Sequence, residues 1–330
     1  MATEPFEHDQ IEVNGIGVHT VSAGKGPLVV FCHGFPESWY SWRHQLPAVA
    51  EAGFRAMALD MRGYGRTGAP AAVHAYSMSH IVADVVGVVA AAGAEEAVVV
   101  GHDWGAVAAW YGVLMRPDVF RALAALSVPY IPPIPALPEG MTINDVMRQG
   151  AGEREYYRLF FQEPGVAEAD LGADVDHSLR ALLYTLSGDI VADGVHSNGW
   201  DGYFPKGHGF VEQLVRPDVL PSWLTEDDLA FYVSEFSRTG FRGGLNWYRN
   251  IQAIPTILGP FVGKAIHQPA LYLAGEYDLI AGNTPEALAD LPAQVQGLRD
   301  MKVFPGAGHW LQQERASEVN QQLVAFLTSL

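Results

Sequence analysis

The sequence predicts an α/β fold, a mostly parallel β-sheet flanked by helices, with a mainly helical cap inserted into it. The first reason is that short apolar runs alternate with helix-length segments as far as Val128. A β-α-β-α order of this kind places successive strands side by side in parallel. The second reason is that the alternation stops near Tyr130 and resumes near Pro269. A chain of 330 residues is long enough for a core domain with such an insertion.

The predicted core strands are continuous apolar runs, because helices cover both faces of a parallel sheet. They comprise residues 27–33, 55–60, 97–100, 123–128, 269–274 and 301–304. Helices are predicted between these strands and after the last one. They comprise residues 41–52, 81–92 and 104–115, and an amphipathic C-terminal helix over residues 316–330.

A proline-rich segment interrupts this pattern and begins the cap. Five prolines within ten residues exclude both a regular helix and a central strand. They are Pro129, Pro132, Pro133, Pro135 and Pro138. The region that follows is aromatic-rich, with helices predicted over residues 152–161 and 226–239. We therefore predict a core domain of residues 1–129 plus 251–330 and a cap domain of residues 130–250.

Composition limits the classes of function. With 49% hydrophobic and 17% charged residues, the chain has the make-up of a compact soluble enzyme. A formal net charge of −17 argues against nucleic acid or an anionic membrane surface as a partner, because like charges repel. Cys32 is the only cysteine, the first ten residues contain no apolar signal segment, and no apolar run approaches the ~20 residues that cross a bilayer. These features predict a cytoplasmic protein.

The segment Gly101-His-Asp-Trp-Gly105 follows the predicted strand 97–100 and opens the predicted helix 104–115. A strand that enters a sharp turn, with glycine on either side of a polar residue and a helix after it, is the nucleophile elbow of the α/β-hydrolase fold. Asp103 occupies the position of the nucleophile. The alternative is that Asp103 only caps the helix that follows. The two glycines and the partners described below favour the nucleophile.

An aspartate at this position restricts the reaction. Serine attacking a saturated carbon would form an ether, which water does not readily cleave. A carboxylate attacking the same carbon forms an ester, which water and a general base can open. Asp103 therefore predicts displacement at a saturated carbon followed by hydrolysis of an ester, and it argues against ester, amide and lipid hydrolysis.

The second step needs a base and an acid that orients it. His309 follows the last predicted strand within Gly306-Ala-Gly-His-Trp310, and Asp278 follows the strand before it. Nucleophile, acid and histidine is the order of these groups along α/β-hydrolase chains. Glu276 is close enough in sequence to be an alternative to Asp278.

The loop His33-Gly-Phe-Pro36 closes the first long predicted strand. We predict that the backbone N–H groups of Phe35 and Trp104 form an oxyanion hole for the tetrahedral intermediate. The alternative is an ordinary turn at the end of a strand. The sequence leaves open whether the bond before Pro36 is cis.

Five segments resemble the soluble (cytosolic-type) epoxide hydrolases and their bacterial relatives, and the resemblance extends from about Gly15 to the C-terminus. They are HGFPESWYSWR (33–43), GHDWG (101–105), FQEPGVAE (161–168), GFRGGLNWYRN (240–250) and GHW (308–310). The first, second and last are shared with other hydrolases that use an aspartate nucleophile. The two cap segments are more specific. The resemblance implies an α/β-hydrolase that converts epoxides to vicinal diols with water, without a cofactor or metal ion.

The resemblance also implies that two cap tyrosines, Tyr157 and Tyr248, hold the epoxide oxygen. A phenol with a pKa near 10 can donate the proton that the leaving alkoxide needs. Tyr156 is the alternative to Tyr157, and the count back from the segment 161–168 favours Tyr157. Further candidate substrate contacts are His33, Pro36, Phe161 and Trp247.

Two other functions fit parts of the pattern. A haloalkane or haloacid dehalogenase shares the fold, nucleophile and base, but halide release needs N–H donors and no acid. A catalytically silent binding protein of this fold would usually lack one of the reactive groups. The predicted partners are a small epoxide and water, with a homodimer through the cap or core also considered. The Gly- and aromatic-rich loop 196–210 lies either at a pocket entrance or passively on the surface.

Overall fold

The computed structural model describes residues 6–135 and 137–330. Residues 1–5 belong to the segment in which the sequence predicts no signal peptide, and they lie outside the described residues. The strands form one large sheet and one small hairpin. They are β1 (Glu7–Val13), β2 (Ile16–Ala23), β3 (Leu28–Cys32), β4 (Arg55–Leu59), β5 (Ala97–His102), β6 (Phe120–Leu126), β7 (Arg154–Tyr156), β8 (Tyr203–Pro205), β9 (Ala270–Gly275) and β10 (Leu298–Phe304).

The large sheet has the order β1-β2-β4-β3-β5-β6-β9-β10. Strand β2 runs antiparallel to both β1 and β4. The remaining strands of this sheet are parallel to one another, in the order β4, β3, β5, β6, β9 and β10. This confirms the predicted fold class, and each of the six predicted core strands overlaps an observed strand. All parallel strands therefore direct their carboxyl ends to one edge of the sheet, where ligands bind in folds of this class.

The N-terminal strands β1 and β2 are absent from the predicted strands. Strand β1 reads EHDQIEV and is mostly exposed at the edge of the sheet, so it has no continuous apolar run. It is held by antiparallel pairing along its whole length with β2. Backbone pairing with β2 therefore defines β1, and the sequence pattern does not reveal that pairing.

Helices cover both faces of the sheet and build the insertion. They are α1 (Gln45–Glu51), α2 (Met78–Ala91), α3 (Trp104–Met115), α4 (Ile143–Ala151), α5 (Tyr157–Phe160), α6 (Val166–Gly172), α7 (Val175–Thr185), α8 (Asp189–Ala192), α9 (Glu226–Thr239), α10 (Arg242–Arg249), α11 (Ile254–Leu258), α12 (Leu279–Gly282), α13 (Pro285–Gln294), α14 (Leu311–Glu314) and α15 (Ala316–Thr328). Short 3-10 turns span Trp39–Trp42, Val73–Tyr76, Val211–Gln213, Ile251–Ala253 and Gly259–Phe261. Among the described residues, no helix has both the length and the apolarity that a membrane span requires.

The insertion between β6 and β9 contains helices α4 to α11 and the hairpin β7–β8. The predicted helix 226–239 coincides with α9. The predicted helix 152–161 is wrong in its first half, because β7 pairs there with β8 and the Tyr156 ring stacks on Tyr203 with centroids 4.6 Å apart. The domain boundaries at residues 129/130 and 250/251 remain a prediction.

The cap is fixed to the core by buried polar contacts as well as by apolar packing. The Trp247 indole N–H donates to the carbonyl of Arg62 at 3.0 Å, and the Tyr40 hydroxyl donates to Asp228 at 2.9 Å. Phe35 from the core packs edge-on against Phe241 from the cap. These contacts close α9 and α10 over the carboxyl ends of the strands, where the candidate site lies.

Candidate active site

Asp103 lies in a strained turn between β5 and α3. Its φ of 52° and ψ of −119° lie outside the usual regions for a residue with a side chain, and such strain concentrates at functional sites. A Cβ on Gly101 would collide with the backbone of Gly105, and a Cβ on Gly105 would collide with the carbonyl of Cys32. Close backbone packing on both sides of the turn therefore requires glycine at these two positions. The Asp103 side chain makes no capping hydrogen bond to α3, so the interpretation as a simple helix cap is wrong.

The loop after β3 contacts the Asp103 carboxylate directly. The Phe35 backbone N–H donates to Asp103 Oδ1 at 2.9 Å, and a Cβ on Gly34 would overlap that carboxylate. The Phe35–Pro36 peptide bond is cis. Trp104 is the first residue of α3, and its N–H remains the predicted second donor. The core thus holds Oδ1 of the carboxylate, and Oδ2 lies on the side of His309.

Asp278 and His309 meet beside Asp103. His309 Nδ1 lies 3.0 Å from Asp278 Oδ2, and His309 Nε2 lies 3.8 Å from Asp103 Oδ2. Asp278 Oδ1 accepts the N–H groups at the start of α12, which fixes the carboxylate. Glu276, the alternative acid, is exposed and accepts the N–H of Gly306 instead. The geometry therefore gives the orienting position to Asp278.

Burial and charge act in opposite directions on this histidine. Burial alone would lower the pKa of His309, but the carboxylates of Asp278 and Asp103 outweigh it and raise the pKa to about 9. Burial alone would raise the pKa of Asp278, and the charge and hydrogen bond of His309 hold it below its usual value. The two groups form a buried ion pair while Asp103 carries its negative charge.

The two predicted cap tyrosines pack edge-on against each other near Asp103. The Tyr157 and Tyr248 ring centroids are 6.1 Å apart, and the Tyr248 ring packs edge-on against Trp104 at 5.1 Å. Burial raises the pKa of both phenols above the usual value. Tyr156 instead stacks on Tyr203 in the hairpin β7–β8. The structure therefore brings Tyr157 to the site, and its neighbour supports the hairpin.

Two cavities of unequal size meet at Asp103 and Tyr248. The larger, of about 230 Å³, has mostly apolar walls, and the smaller, of about 20 Å³, includes His309 and Tyr157. Residues of α3, the proline-rich segment and α11 line the larger cavity. Trp200 and Phe210, both within the loop 196–210, line the smaller one.

The additional substrate contacts predicted from sequence have different positions. Phe161 lines the small cavity. His33 is used within the core, where its Nε2 accepts the N–H of Met61, and the Trp247 indole binds a core carbonyl. His33, Pro36 and Trp247 lie outside the walls of both cavities, so a substrate contact for these three remains a prediction.

Sequence reasoning missed several polar groups around these residues. His102 Nδ1 lies 2.7 Å from the Glu37 carboxylate, and its Nε2 lies 2.7 Å from the carbonyl oxygen of His309. The Ser127 hydroxyl lies 3.1 Å from His309 Nδ1, and the Arg158 guanidinium donates to Tyr157. The partners of His102 and Ser127 are distant in sequence, and Arg158 contacts its direct neighbour on the short helix α5, so no local sequence pattern indicates these contacts.

Comparison with known proteins agrees with this geometry. The family model described as alpha/beta hydrolase fold matches residues 27–316. Epoxide hydrolase A of Mycobacterium tuberculosis is 42% identical over 323 residues, which cover 97% of each chain. Epoxide hydrolase 1 of Siraitia grosvenorii is 39% identical and covers 98% of this chain and 99% of its own. This chain belongs to the epoxide hydrolases of the α/β-hydrolase superfamily.

Solved epoxide hydrolase structures superpose on the whole chain. An epoxide hydrolase from an endophytic Streptomyces matches with a TM-score of 0.93 and 42% identity, over 98% of this chain and 96% of its own. Epoxide hydrolase A of Mycobacterium thermoresistibile matches with a TM-score of 0.89 and 40% identity, over 98% of each chain. Core and insertion alike therefore have the architecture of epoxide hydrolases.

Proposed function

We propose that this epoxide hydrolase converts epoxides to vicinal diols through an alkyl ester on Asp103. In the first half-reaction Asp103 Oδ2 attacks an epoxide carbon and the carbon–oxygen bond of the ring breaks. The electron pair of that bond goes to the epoxide oxygen, which takes a proton from the tyrosine pair Tyr157 and Tyr248. The observation that carries this proposal is the Phe35 N–H on Asp103 Oδ1, since it leaves Oδ2 as the free nucleophilic oxygen on the side of His309.

In the second half-reaction His309 takes a proton from water, and the resulting hydroxide attacks the carbonyl carbon of the ester. Forming the ester removes the negative charge of Asp103, one of the carboxylates that raise the pKa of His309. The pKa of the imidazole then falls, so the ring is able to accept a proton at the moment a base is needed. The negative charge that develops on Oδ1 is stabilised by the Phe35 N–H.

The unequal cavities support unsymmetrical epoxides as substrates. A space of about 20 Å³ on one side of Asp103 and Tyr248 accommodates hydrogen or a very small group, whereas about 230 Å³ on the other side accommodates a larger substituent. The mostly apolar walls of the larger space favour an aryl or alkyl group. A homodimer and a cytoplasmic location remain predictions from the sequence.

The dehalogenase alternative is disfavoured by the tyrosine pair. A halide leaves as an anion that needs N–H donors, whereas the oxygen of an opened epoxide needs an acid. Two phenols beside the nucleophile supply O–H donors. A silent binding protein is disfavoured because Asp103, Asp278 and His309 are all in contact range.

The proposal is tested with purified protein and two substrates, styrene oxide and a 1-haloalkane of similar size. We expect the phenyl diol from the first and no halide from the second. The Asp103→Ala variant serves as the background for uncatalysed hydrolysis. Halide release without diol formation would instead identify a dehalogenase. If neither product formed, the result would favour the silent binding protein.

A further inference from the structure

The two cap tyrosines differ in their surroundings. Arg158 Nε donates to the Tyr157 hydroxyl at 2.9 Å. Within residues 6–135 and 137–330, no group forms a hydrogen bond with the Tyr248 hydroxyl, although the backbone carbonyl of Tyr248 accepts one from Gln162. The two phenols are therefore unequal before any substrate arrives.

The direction of this hydrogen bond leaves the Tyr157 O–H available to donate to another group. A guanidinium group only donates, so the phenol oxygen must be the acceptor. The Tyr157 O–H then has to point elsewhere, and Tyr157 lines the cavity that it shares with Asp103 and Tyr248. Arg158 thus holds Tyr157 as a donor toward the position of the epoxide.

Among the residues that the structure describes, no carboxylate forms an ion pair with Arg158. Two other buried or partly buried guanidinium groups do have such partners, since Arg62 binds Asp84 and Arg249 binds Glu168. For Arg158, no carboxylate of the described residues lies within 4.0 Å, and its guanidinium carbon lies 5.6 Å from the Tyr157 ring.

A neighbouring cation favours the deprotonated form of a phenol. Burial raises the pKa of Tyr157, and Arg158 opposes that increase more than any other neighbour does. The remaining groups that act on this phenol are Tyr156, Tyr248 and Asp103, and none of them is a cation. Because a buried phenolate is costly without a counter-charge, Arg158 decides whether Tyr157 is able to release its proton.

We propose that Arg158 is a positioning residue that makes Tyr157 the main proton donor to the opening epoxide, with Tyr248 as a supporting hydrogen-bond donor. This inference rests on the proposed function. As the ring opens, the proton moves from the Tyr157 hydroxyl to the epoxide oxygen, and a phenolate remains paired with Arg158. In the second half-reaction water supplies a hydroxide to the ester carbon and a proton to His309. The bond between that carbon and Oδ2 then breaks, the proton of the added hydroxide goes to the departing diol oxygen, and the Asp103 carboxylate re-forms. The proton on His309 is returned to Tyr157 through solvent. The sum is epoxide plus water giving diol.

The test isolates the first half-reaction in a His309→Gln background, where the ester on Asp103 accumulates and intact-protein mass spectrometry follows its rate of formation with styrene oxide. We expect Arg158→Met to slow ester formation about 10- to 100-fold, part of the ~10²–10⁴ that a general acid contributes. Arg158→Lys, which keeps a charged donor, should recover most of the rate. Arg154→Met is the matched control, because Arg154 lies only four residues before Arg158, at the start of β7, but pairs with the exposed Asp201.

A double-mutant cycle identifies the group through which Arg158 acts. Adding Arg158→Met to Tyr157→Phe should slow ester formation less than twofold further, whereas adding it to Tyr248→Phe should retain the full effect. Equal slowing by Arg158→Met in both backgrounds would overturn the proposal, as would a rate within twofold of the parent. Arg158→Gln, with a neutral donor, replaces Arg158→Met if thermal unfolding shows that the latter does not fold.

The possible outcomes distinguish failure of the role inferred for Arg158 from failure of the proposed ester mechanism. Ester formation in the His309→Gln parent without any dependence on Arg158 would reject only the role of Arg158. Absence of ester in that parent, with normal folding, would reject the covalent mechanism itself.

Discussion

The core and the cap contribute to the candidate site in different ways. Asp103, Asp278 and His309 follow β5, β9 and β10 at one edge of a single sheet, and the proposed mechanism gives each a different chemical role. Tyr157 and Tyr248 come from two cap helices and carry the same functional group. No second residue can take over the role of a core group, whereas either tyrosine hydroxyl can partly compensate for loss of the other. We therefore expect core substitutions to stop a step outright and cap substitutions to give graded losses.

The largest effect is expected for Asp103→Ala. No other group can form the ester, so diol formation should fall to the uncatalysed background. The measurement is diol production from styrene oxide. Asp118→Ala, which removes an exposed carboxylate just beyond α3, is the control and should keep its activity. More than a trace of catalysed diol in Asp103→Ala would contradict the assignment; Asp103→Asn is a poorer test because its amide can hydrolyse to aspartate.

His309→Gln should stop turnover but not the first attack. Without the base, the ester on Asp103 has no efficient route to hydrolysis, so the protein should gain the mass of one substrate molecule. Intact-protein mass spectrometry after incubation with styrene oxide measures this gain. His208→Gln, at an exposed cap histidine paired with Glu212, is the control and should show neither effect. Unmodified protein after long incubation would count against the division of labour between Asp103 and His309.

The tyrosine pair should give the graded response that distinguishes the cap from the core. Tyr157→Phe or Tyr248→Phe alone should slow ester formation and leave measurable activity, with the larger loss for Tyr157→Phe. The double variant should retain almost none, because no proton donor remains. Single-turnover rates of ester formation measure this.

Tyr156→Phe is the matched control for the tyrosines, because it removes a hydroxyl from the adjacent residue and keeps the ring that stacks on Tyr203. A near-normal rate in the double variant would refute the proton-donor role. A loss in Tyr156→Phe comparable to that of Tyr157→Phe would mean that the wrong neighbour had been assigned.

The smallest effect concerns pH and the core ion pair. The folded pKa of His309, about 9, is above its unfolded value of 6.5, so the stabilisation from its charge is complete below pH 6.5 and is lost as the pH rises through 9. At ~1.4 kcal/mol per pKa unit, the loss is on the order of 3 kcal/mol.

Asp278→Asn removes the partner that most raises this pKa, so the free energy of unfolding should fall less between pH 6.5 and 9.5 in the variant than in the parent protein. Urea unfolding across this range provides the comparison. Equal pH dependence in both proteins would refute the coupling between His309 and Asp278.

The same contrast explains how much the sequence could predict. Asp103 and His309 were predictable because glycine-flanked polar residues follow buried strands, and the fold class followed from the order of apolar runs. The tyrosines were predictable only through resemblance, since Tyr157 and Tyr248 lie on separate helices and share no local pattern. Arg158 was not predicted, because its proposed role depends on tertiary packing. Packing determines its hydrogen bond to the Tyr157 hydroxyl and leaves it without a carboxylate partner among the described residues.

One secondary-structure prediction in the cap was wrong for a related reason. The segment around Tyr156 was predicted as helix, but pairing of β7 with β8 overrides that local preference. Continuous apolar runs encode the parallel strands of the core locally, whereas contacts between distant segments define β7 and β8 in the cap.

The covalent ester is the central claim, and isotope labelling tests it most directly. One turnover is run in H₂¹⁸O with enzyme in excess over styrene oxide, and the diol and the peptide that carries Asp103 are analysed by mass spectrometry. If Asp103 is the nucleophile, its own oxygen enters the diol and water replaces that oxygen, so ¹⁸O should appear in Asp103 and not in the first diol formed. Label in the diol at the first turnover, with an unlabelled Asp103, would mean that activated water attacks the epoxide directly and would contradict the ester mechanism.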